Sequence, residues 1–92
     1  RLFFLGGMTG SNQTTLAVEV LDTASGQWSS GPALPQGKLQ GFGNSACVAG
    51  GRLYISGLSG EVHRLAADES GWETVTKLRQ RRFFHRLIAL TD

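Results

Sequence analysis

Short runs of β-favouring residues, separated by turn-forming residues, follow one another along the chain. They lie at 2–5, 16–21, 46–49, 53–56, 61–65, 72–75 and 87–90. Glycine, serine and asparagine lie between them at the spacing of turns. No window shows the 3.6-residue apolar period that a helix of ordinary length requires. The pattern therefore predicts an all-β chain of short strands.

Alternation within these runs predicts which faces are buried. Val18 and Val20 share one face of a strand whose other face carries a glutamate, as in a half-buried strand. The runs 46–49 and 53–55 are apolar on both faces and are expected inside a stack of sheets. Gly50-Gly51 supplies the positive φ angles of a tight turn, so these two runs are predicted to form an antiparallel hairpin.

An internal repeat relates the two halves of the chain. Residues 44 positions apart match in five pairs, namely Val18 with Val62, Leu21 with Leu65, Trp28 with Trp72, Leu34 with Leu78 and Lys38 with Arg82. The run 46–48 matches 88–90 at an offset of 42, which places about two extra residues in the loop over 36–42. A repeat of this length with four short strands is typical of a β-propeller blade.

Five stretches of the chain share an order of glycines, acid and tryptophan with a known repeat. They are Leu2-Phe3-Phe4-Leu5-Gly6-Gly7, Val18-Glu19-Val20-Leu21-Asp22, Gly26-Gln27-Trp28, Leu34-Pro35 and Gly50-Gly51-Arg52-Leu53-Tyr54-Ile55-Ser56-Gly57. In this order they resemble the kelch repeat. The kelch motif is a hydrophobic strand ending in a double glycine, a strand ending in an aromatic residue and Asp, a turn, and a tryptophan. The second unit departs from it, with Gly57-Leu58-Ser59-Gly60 in place of the double glycine and Ala66 in place of the acid.

The resemblance implies a partial β-propeller of about two four-stranded antiparallel blades, cut from a larger ring. Residues 1–43 are expected to form most of a first blade and 44–78 a complete second blade. Residues 79–92 are expected to carry the opening strand of a third blade, at 83–90. The residues expected to be structural are Gly6, Gly7, Trp28, Gly50, Gly51 and Trp72, with both indole rings in the core, where they fill the wedge between blades.

Catalysis is not expected. HExxH, CxxC and GxSxG motifs are absent, and the two histidines, His63 and His85, lie on different predicted elements. We therefore predict no enzyme activity, no cofactor and no metal. Some kelch-like propellers are galactose-oxidase-like copper enzymes, but Tyr54 and Cys47 lie on predicted core strands, which makes this the more distant alternative. Cys47 is expected to be a small buried hydrophobe.

Charge is concentrated near the end of the chain. The formal net charge is +2, yet from residue 77 onward the only acid is Asp92. The basic residues there are Lys77, Arg79, Arg81, Arg82 and Arg86. Such a cluster attracts acidic partners, although a solvated loop would have the same composition. The scarcity of cysteine and the lack of a targeting or membrane-spanning segment favour the reducing cytoplasm.

Binding is the function that the resemblance implies. Kelch propellers use the loops of one face to bind a protein partner or substrate, and many act as substrate adaptors of cullin-RING ubiquitin ligases through a separate BTB or F-box-type domain. The matching partner-binding residues here are Met8, Asn12, Gln13, Lys38, Gln40, Phe42, Ser59, Arg79, Arg81, Arg82, Phe83 and His85.

The chemistry of these loops suggests the partner. Arginine beside an exposed aromatic suits capture of carboxylates together with an apolar anchor, so an acidic or phosphorylated peptide is expected. Phe83 or Phe84 would instead belong to the core if its ring faced inward. Binding of nucleic acid through the basic cluster is the alternative, and it predicts affinity that falls steeply with salt.

Overall fold

The computed structural model describes residues 1–36, 41–57, 60–82 and 84–90. The strands of this part of the chain are β1 (Leu2–Leu5), β2 (Val18–Leu21), β3 (Trp28–Ser30), β4 (Ser45–Ala49), β5 (Arg52–Ser56), β6 (Glu61–Leu65) and β7 (Trp72–Lys77). They form two antiparallel sheets, β1-β2-β3 and β4-β5-β6-β7. The described residues contain no helix and form two antiparallel, blade-like sheets, which confirms the predicted all-β fold. A helix of the length and apolar character needed to cross a bilayer is accordingly absent from them.

The internal repeat has a direct structural counterpart. Trp28 lies opposite Leu21 in the first sheet, and Trp72 lies opposite Leu65 in the second. An equivalent hydrogen bond closes the turn that follows each of these leucines. In the first sheet the amide of Asp22 donates to the carbonyl of Gln27 at 2.9 Å, and in the second the amide of Ala66 donates to the carbonyl of Gly71 at 2.9 Å. Strands β1-β2-β3 of the first sheet therefore correspond in order, and around the tryptophans in register, to β5-β6-β7 of the second.

The double glycines occupy turns that favour them. Gly50 and Gly51 have φ angles of 55° and 76°, and the β4 and β5 strands on either side pair in register, so the predicted hairpin is confirmed. At Gly6, where φ is 67°, a Cβ would lie 2.8 Å from the carbonyl oxygen of Gly41. Gly7 has open space around it, and its φ of 97° is what favours glycine there.

The core lies between the two sheets. Val18 and Val20 of β2 are 2% and 6% exposed, as their alternation predicts, and they cluster with Leu34 and Ile55. Trp72 packs against this cluster, and its indole Nε1–H donates a hydrogen bond to the carbonyl of Pro32 at 2.9 Å. The second sheet is therefore held against one face of the first by apolar contact and by this hydrogen bond.

Trp28 is not in the core, contrary to the expectation from the repeat. It is 57% exposed, and its ring centroid lies 5.4 Å from that of Phe4. Both residues lie on the face of the first sheet that points away from the second, where no other described element packs. Trp72 is partly buried because the first sheet packs against its face, whereas no described element packs against Trp28.

Two further expectations differ from the structure. Strand β4 was expected inside a stack of sheets, but its Val48 is 62% exposed. The reason is that β1 is the edge strand of the facing first sheet, and no described strand lies beyond β1 to cover Val48. The described residues 84–90 form no strand, since no described strand pairs with them. Ile88 and Leu90 are 81% and 78% exposed as a result.

Candidate partner-binding site

The described parts of the segments that follow β1, β3, β5 and β7 lie at one end of the molecule. We call this region the loop end and define it as the described residues 6–15, 41–44, 57, 60 and 78–87. The amide of Gly7 donates to the carbonyl of Gly41 at 3.1 Å, and the amide of Phe84 donates to that of Gly43 at 3.1 Å. Connections from different parts of the chain therefore form one continuous surface, as antiparallel strand order requires.

The connection between β1 and β2 is a closed loop. Met8 and Thr14 form an isolated antiparallel bridge, and the amide of Thr9 donates to the carbonyl of Gln13 at 2.7 Å. Asn12 has a φ of 61°, in the left-handed region where asparagine is tolerated. The loop's own hydrogen bonds hold its backbone, and the side chains of Met8, Asn12 and Gln13 are left exposed to solvent.

An aromatic pair lies at the centre of the loop end. The rings of Phe42 and Phe84 meet edge to face, with centroids 5.0 Å apart and an interplanar angle of 80°. Phe42 is half-buried, whereas Phe84 is 64% exposed and has a φ of 56°. Phe84 was absent from the residues predicted for the site, and the adjacent Phe83, which was included, lies outside the described residues. The sequence signal for Phe84 was its position beside Phe83 in a basic run. Strand alternation alone could not predict which of the two rings faces solvent.

His85 holds the segment after β7 against the second sheet. Its Nε2 shares a hydrogen bond of 2.6 Å with Oγ of Ser56, which is 1% exposed. Two residues later, the amide of Leu87 donates to Oγ of Ser45 at 2.9 Å. The Nδ1 atom of His85 is buried and has no hydrogen-bond partner among the described residues. The sequence predicted that this histidine faces a partner, but its Nε2 atom instead anchors the loop to the second sheet.

The arginines beside this anchor are exposed. Arg79, Arg81 and Arg82 form no ion pair with any described residue. The side chain of Arg81 lies over Gly60, where a Cβ would come within 2.5 Å of Arg81 Cγ and where φ is +82°. Glycine at position 60 therefore gives the arginine stem a place to lie while its guanidinium stays in solvent.

The arginines elsewhere in the described chain have partners. Arg1 forms a two-pronged pair with Glu69, in which Nη1 lies 2.7 Å from Oε1. Arg52 and Arg64 share Glu73, at 3.1 Å and 3.0 Å. The hydrogen bond from Arg1 lowers the pKa of Glu69 below its ordinary value, so that the carboxylate stays ionised beside its partner. Within the part of the chain that the structure describes, arginines that form no ion pair are thus concentrated at the loop end.

A groove of about 320 Å³ lies between the sheets, at the end away from the loops. Its walls include Phe3, Val48, Leu53 and Leu65, with the Arg1–Glu69 pair at its rim. Of the residues that the sequence indicated for partner binding, none of those that the structure describes lines it. The groove is instead the space left beside β1, where Val48 is exposed.

Side chains for metal or nucleophilic chemistry are dispersed. No group of three His, Cys, Asp or Glu residues in the described part of the chain could hold a metal ion. His63 is 8% exposed, its Nδ1 lies 3.2 Å from Thr74 Oγ1, and burial lowers its pKa below the ordinary value. Cys47 is half-buried rather than fully buried, and it lies opposite Tyr54 in the β4–β5 pair.

Three of the remaining predicted site residues, Lys38, Gln40 and Ser59, also lie outside the described residues. The 92-residue chain matches no protein-family model, and no curated protein matches it. Function is therefore inferred from the internal repeat and from the geometry of the loop end.

Proposed function

We propose that this chain is part of a kelch-type β-propeller that binds a protein partner, and that its loop end takes an acidic segment of that partner. The kelch-like order of glycines, acid and tryptophan supports the family. The two sheets, which correspond in register around Trp28 and Trp72, support a repeated blade. Propellers commonly present binding loops on a rigid scaffold, and the loop end has this character.

One observation carries the choice of partner. Arg79, Arg81 and Arg82 are exposed and form no ion pair with a described residue, while Arg1, Arg52 and Arg64 are each paired with a glutamate. A guanidinium offers a planar fork of donors that fits a carboxylate or a phosphate with two parallel hydrogen bonds. An acidic or phosphorylated peptide would supply the missing acceptors.

The apolar side chains at the same end would supply the anchor. Phe84 and Met8 are 64% and 56% exposed, and the edge-to-face contact with Phe42 fixes the ring of Phe84. A fixed aromatic ring loses little conformational entropy when a partner packs on it, which is why such residues dominate binding energies. The favoured ligand is therefore an acidic segment that contains one large apolar residue.

The wider role follows from the family resemblance. As a substrate adaptor, the propeller would select proteins for a cullin-RING ubiquitin ligase, and the contact with the ligase would be made by a domain outside these 92 residues. Nucleic-acid binding through the same arginines is the competing function, and its steep dependence on salt distinguishes it.

The test is fluorescence anisotropy with a labelled peptide rich in Asp and Glu that carries one Phe, together with its phosphorylated form. Arg81→Gln and Arg82→Gln are each expected to weaken binding by about three- to fivefold, because losing one exposed charged contact costs up to about 1 kcal/mol. Arg1→Gln is the matched control. It removes the same charge at the other end of the sheets and should change affinity by less than about twofold.

Equal weakening by all three substitutions would show that net charge alone attracts the peptide, and the loop end would then be wrong as the site. A single-stranded DNA oligonucleotide is titrated in parallel at several salt concentrations. Tighter binding of the oligonucleotide, with affinity falling steeply as salt rises, would favour the nucleic-acid function instead.

A further inference from the structure

The side chain of Asn44 lies where the two sheets approach each other at the loop end. Asn44 is half-buried, and its Nδ2 donates a hydrogen bond to the carbonyl oxygen of Gly41. The same oxygen accepts a hydrogen bond from the amide of Gly7 at 3.1 Å. A carbonyl oxygen has two lone pairs and can accept both. The amide of Asn44 therefore closes the turn over 41–44 and ties it to the loop that follows β1.

Two glycines at corresponding positions lie on either side of this amide. Gly6 directly follows β1, and Gly57 directly follows the corresponding strand β5. A Cβ at position 6 would lie 3.0 Å from Nδ2 of Asn44, and a Cβ at position 57 would overlap Oδ1. Gly57 does not have a φ in the left-handed region, so the space taken by Asn44 is what favours glycine there. One side chain thus lies against the ends of both sheets.

The turn that Asn44 closes carries one ring of the aromatic pair. Phe42 lies between Gly41 and Gly43, whose φ angles are 90° and 70°. Its ring meets that of Phe84 edge to face at 5.0 Å, and the carbonyl of Gly43 accepts the amide of Phe84 at 3.1 Å. A turn with two such glycines has many accessible conformations unless contacts restrict it. The hydrogen bond from Asn44 is one of the contacts that hold the ring of Phe42 in place.

The exposed arginines of the loop end are held by other contacts. The stem of Arg81 lies over Gly60, and the amide of Leu78 donates to the carbonyl of Gly60 at 2.6 Å. These contacts join the segment after β7 to the β5–β6 connection and do not involve the turn over 41–44. The aromatic pair and the arginines are therefore positioned by separate sets of contacts, so each can be perturbed without the other.

We propose that Asn44 is a positioning residue for the aromatic pair, and that it thereby sets the selectivity of the loop end for a partner segment with a large apolar residue. The inference rests on the proposed binding of an acidic segment and identifies what decides which segments are accepted. Asn44 acts through Phe42, whose ring fixes that of Phe84. Asparagine suits this place because one short side chain presents its donor to Gly41 and its oxygen to Gly57.

The test compares, by fluorescence anisotropy, two labelled acidic peptides that differ at one position, with Phe in one and Ala in the other. The unmodified chain is expected to favour the Phe peptide by about fivefold, the gain from burying part of one ring. Asn44→Ala is expected to reduce this preference to less than about twofold, because the aromatic anchor is no longer fixed. A role in fold stability alone would weaken binding of both peptides equally and leave the preference unchanged.

Two further variants separate the aromatic pair from the arginines. Arg81→Gln should weaken binding of both peptides by about three- to fivefold and leave the preference for Phe intact, because it removes a charged contact. Gly57→Ala perturbs Asn44 a second way, since the added methyl group would displace Oδ1 without removing the amide. It should reduce the preference for Phe as Asn44→Ala does, and it carries the test if circular dichroism shows that Asn44→Ala is unfolded.

Each perturbation of Asn44 has a matched control away from the loop end. Gln27→Ala removes an exposed side-chain amide from the turn between β2 and β3. Gly71→Ala adds a methyl group at a glycine that has open space around it and no left-handed φ. Both controls should keep the preference for the Phe peptide at about fivefold.

The aromatic pair can also be observed without any peptide. The ring centroids of Phe42 and Phe84 are 5.0 Å apart, which is close enough for nuclear Overhauser effects between their ring protons. These effects should weaken in Asn44→Ala and in Gly57→Ala, and they should persist in the two controls.

An unchanged preference for Phe in both Asn44→Ala and Gly57→Ala overturns the inference and leaves the proposed function in place. Equal affinity of the unmodified chain for the two peptides overturns it as well, because there is then no preference for Asn44 to set. Ring-to-ring effects that persist in both variants would contradict the positioning role. Binding of neither peptide to the unmodified chain would refute the proposed function, and this inference with it.

Discussion

Replacing each tryptophan in turn tests the packing of the two sheets, because the two residues are chemically identical and lie at equivalent strand positions. Truncating a fully buried tryptophan to alanine costs about 3–5 kcal/mol. Trp72 is half-buried, so about half of that cost applies, and the loss of its hydrogen bond to Pro32 adds about 1 kcal/mol. Trp72→Ala should therefore lower the free energy of unfolding by about 2.5–3.5 kcal/mol.

Trp28→Ala is the matched control and should cost less than about 1 kcal/mol, since the ring loses mainly its contact with Phe4. Both are measured by urea unfolding, followed by far-UV circular dichroism. Trp72→Phe retains a ring but not the N–H donor and should fall between them, at about 1 kcal/mol. Equal losses for Trp28→Ala and Trp72→Ala would refute the packing of one sheet on the other.

Two further predictions concern a turn and a buried histidine. At Gly41, φ is +90° and a Cβ would overlap the carbonyl oxygen of Thr15. Gly41→Ala should therefore destabilise the fold by about 2 kcal/mol or more. Gly10 has open space around it, so Gly10→Ala should be neutral or stabilising by about 0.5 kcal/mol. Thermal unfolding measures both, and a harmless alanine at 41 would contradict the close approach of the loops. Burial lowers the pKa of His63 in the folded chain, so the unfolded chain binds the proton more readily and stability should fall as pH drops below the ordinary value of 6.5. His63→Gln should flatten that fall in unfolding curves between pH 7 and 5, about the range over which histidine titrates, and an unchanged slope would be evidence against this origin.

The sheets could be predicted from the sequence because their determinants are local. Alternation placed Val18 and Val20 inside, and the glycines at 50 and 51 defined the β4–β5 hairpin. The offset of 44 residues predicted that Trp28 and Trp72 occupy equivalent strand positions, and they do. Each of these properties depends on side-chain period or on turn geometry, both of which can be read from neighbouring residues.

Burial was harder to predict because it depends on what lies beside each sheet. The repeat implied that both tryptophans are core, but Trp28 is exposed where no described element packs against it. Val48 is exposed for a related reason, at the open edge of the first sheet. A sequence repeat fixes the position of a residue within its unit, whereas its environment also requires the neighbouring unit.

The candidate site was predicted in outline and not in detail. The loops named from the kelch resemblance do meet at one end, and the exposed arginines Arg79, Arg81 and Arg82 lie there. The hydrogen bond of His85 to Ser56 and the contact of Phe84 with Phe42 join residues far apart in the sequence, and no local pattern signals them. Such long-range contacts decide which loop side chains are free to bind.

The most direct test of partner binding at the loop end is an amide-correlation NMR titration of the chain with the acidic peptide. The predicted result is that amide signals from residues 8–15, 41–44, 78–82 and 84–87 shift together and saturate, while those of the β4–β5 hairpin turn at 50–51 remain in place. Shifts centred on the hairpin turn, or no saturable shift in the loops, would contradict the assignment of this surface.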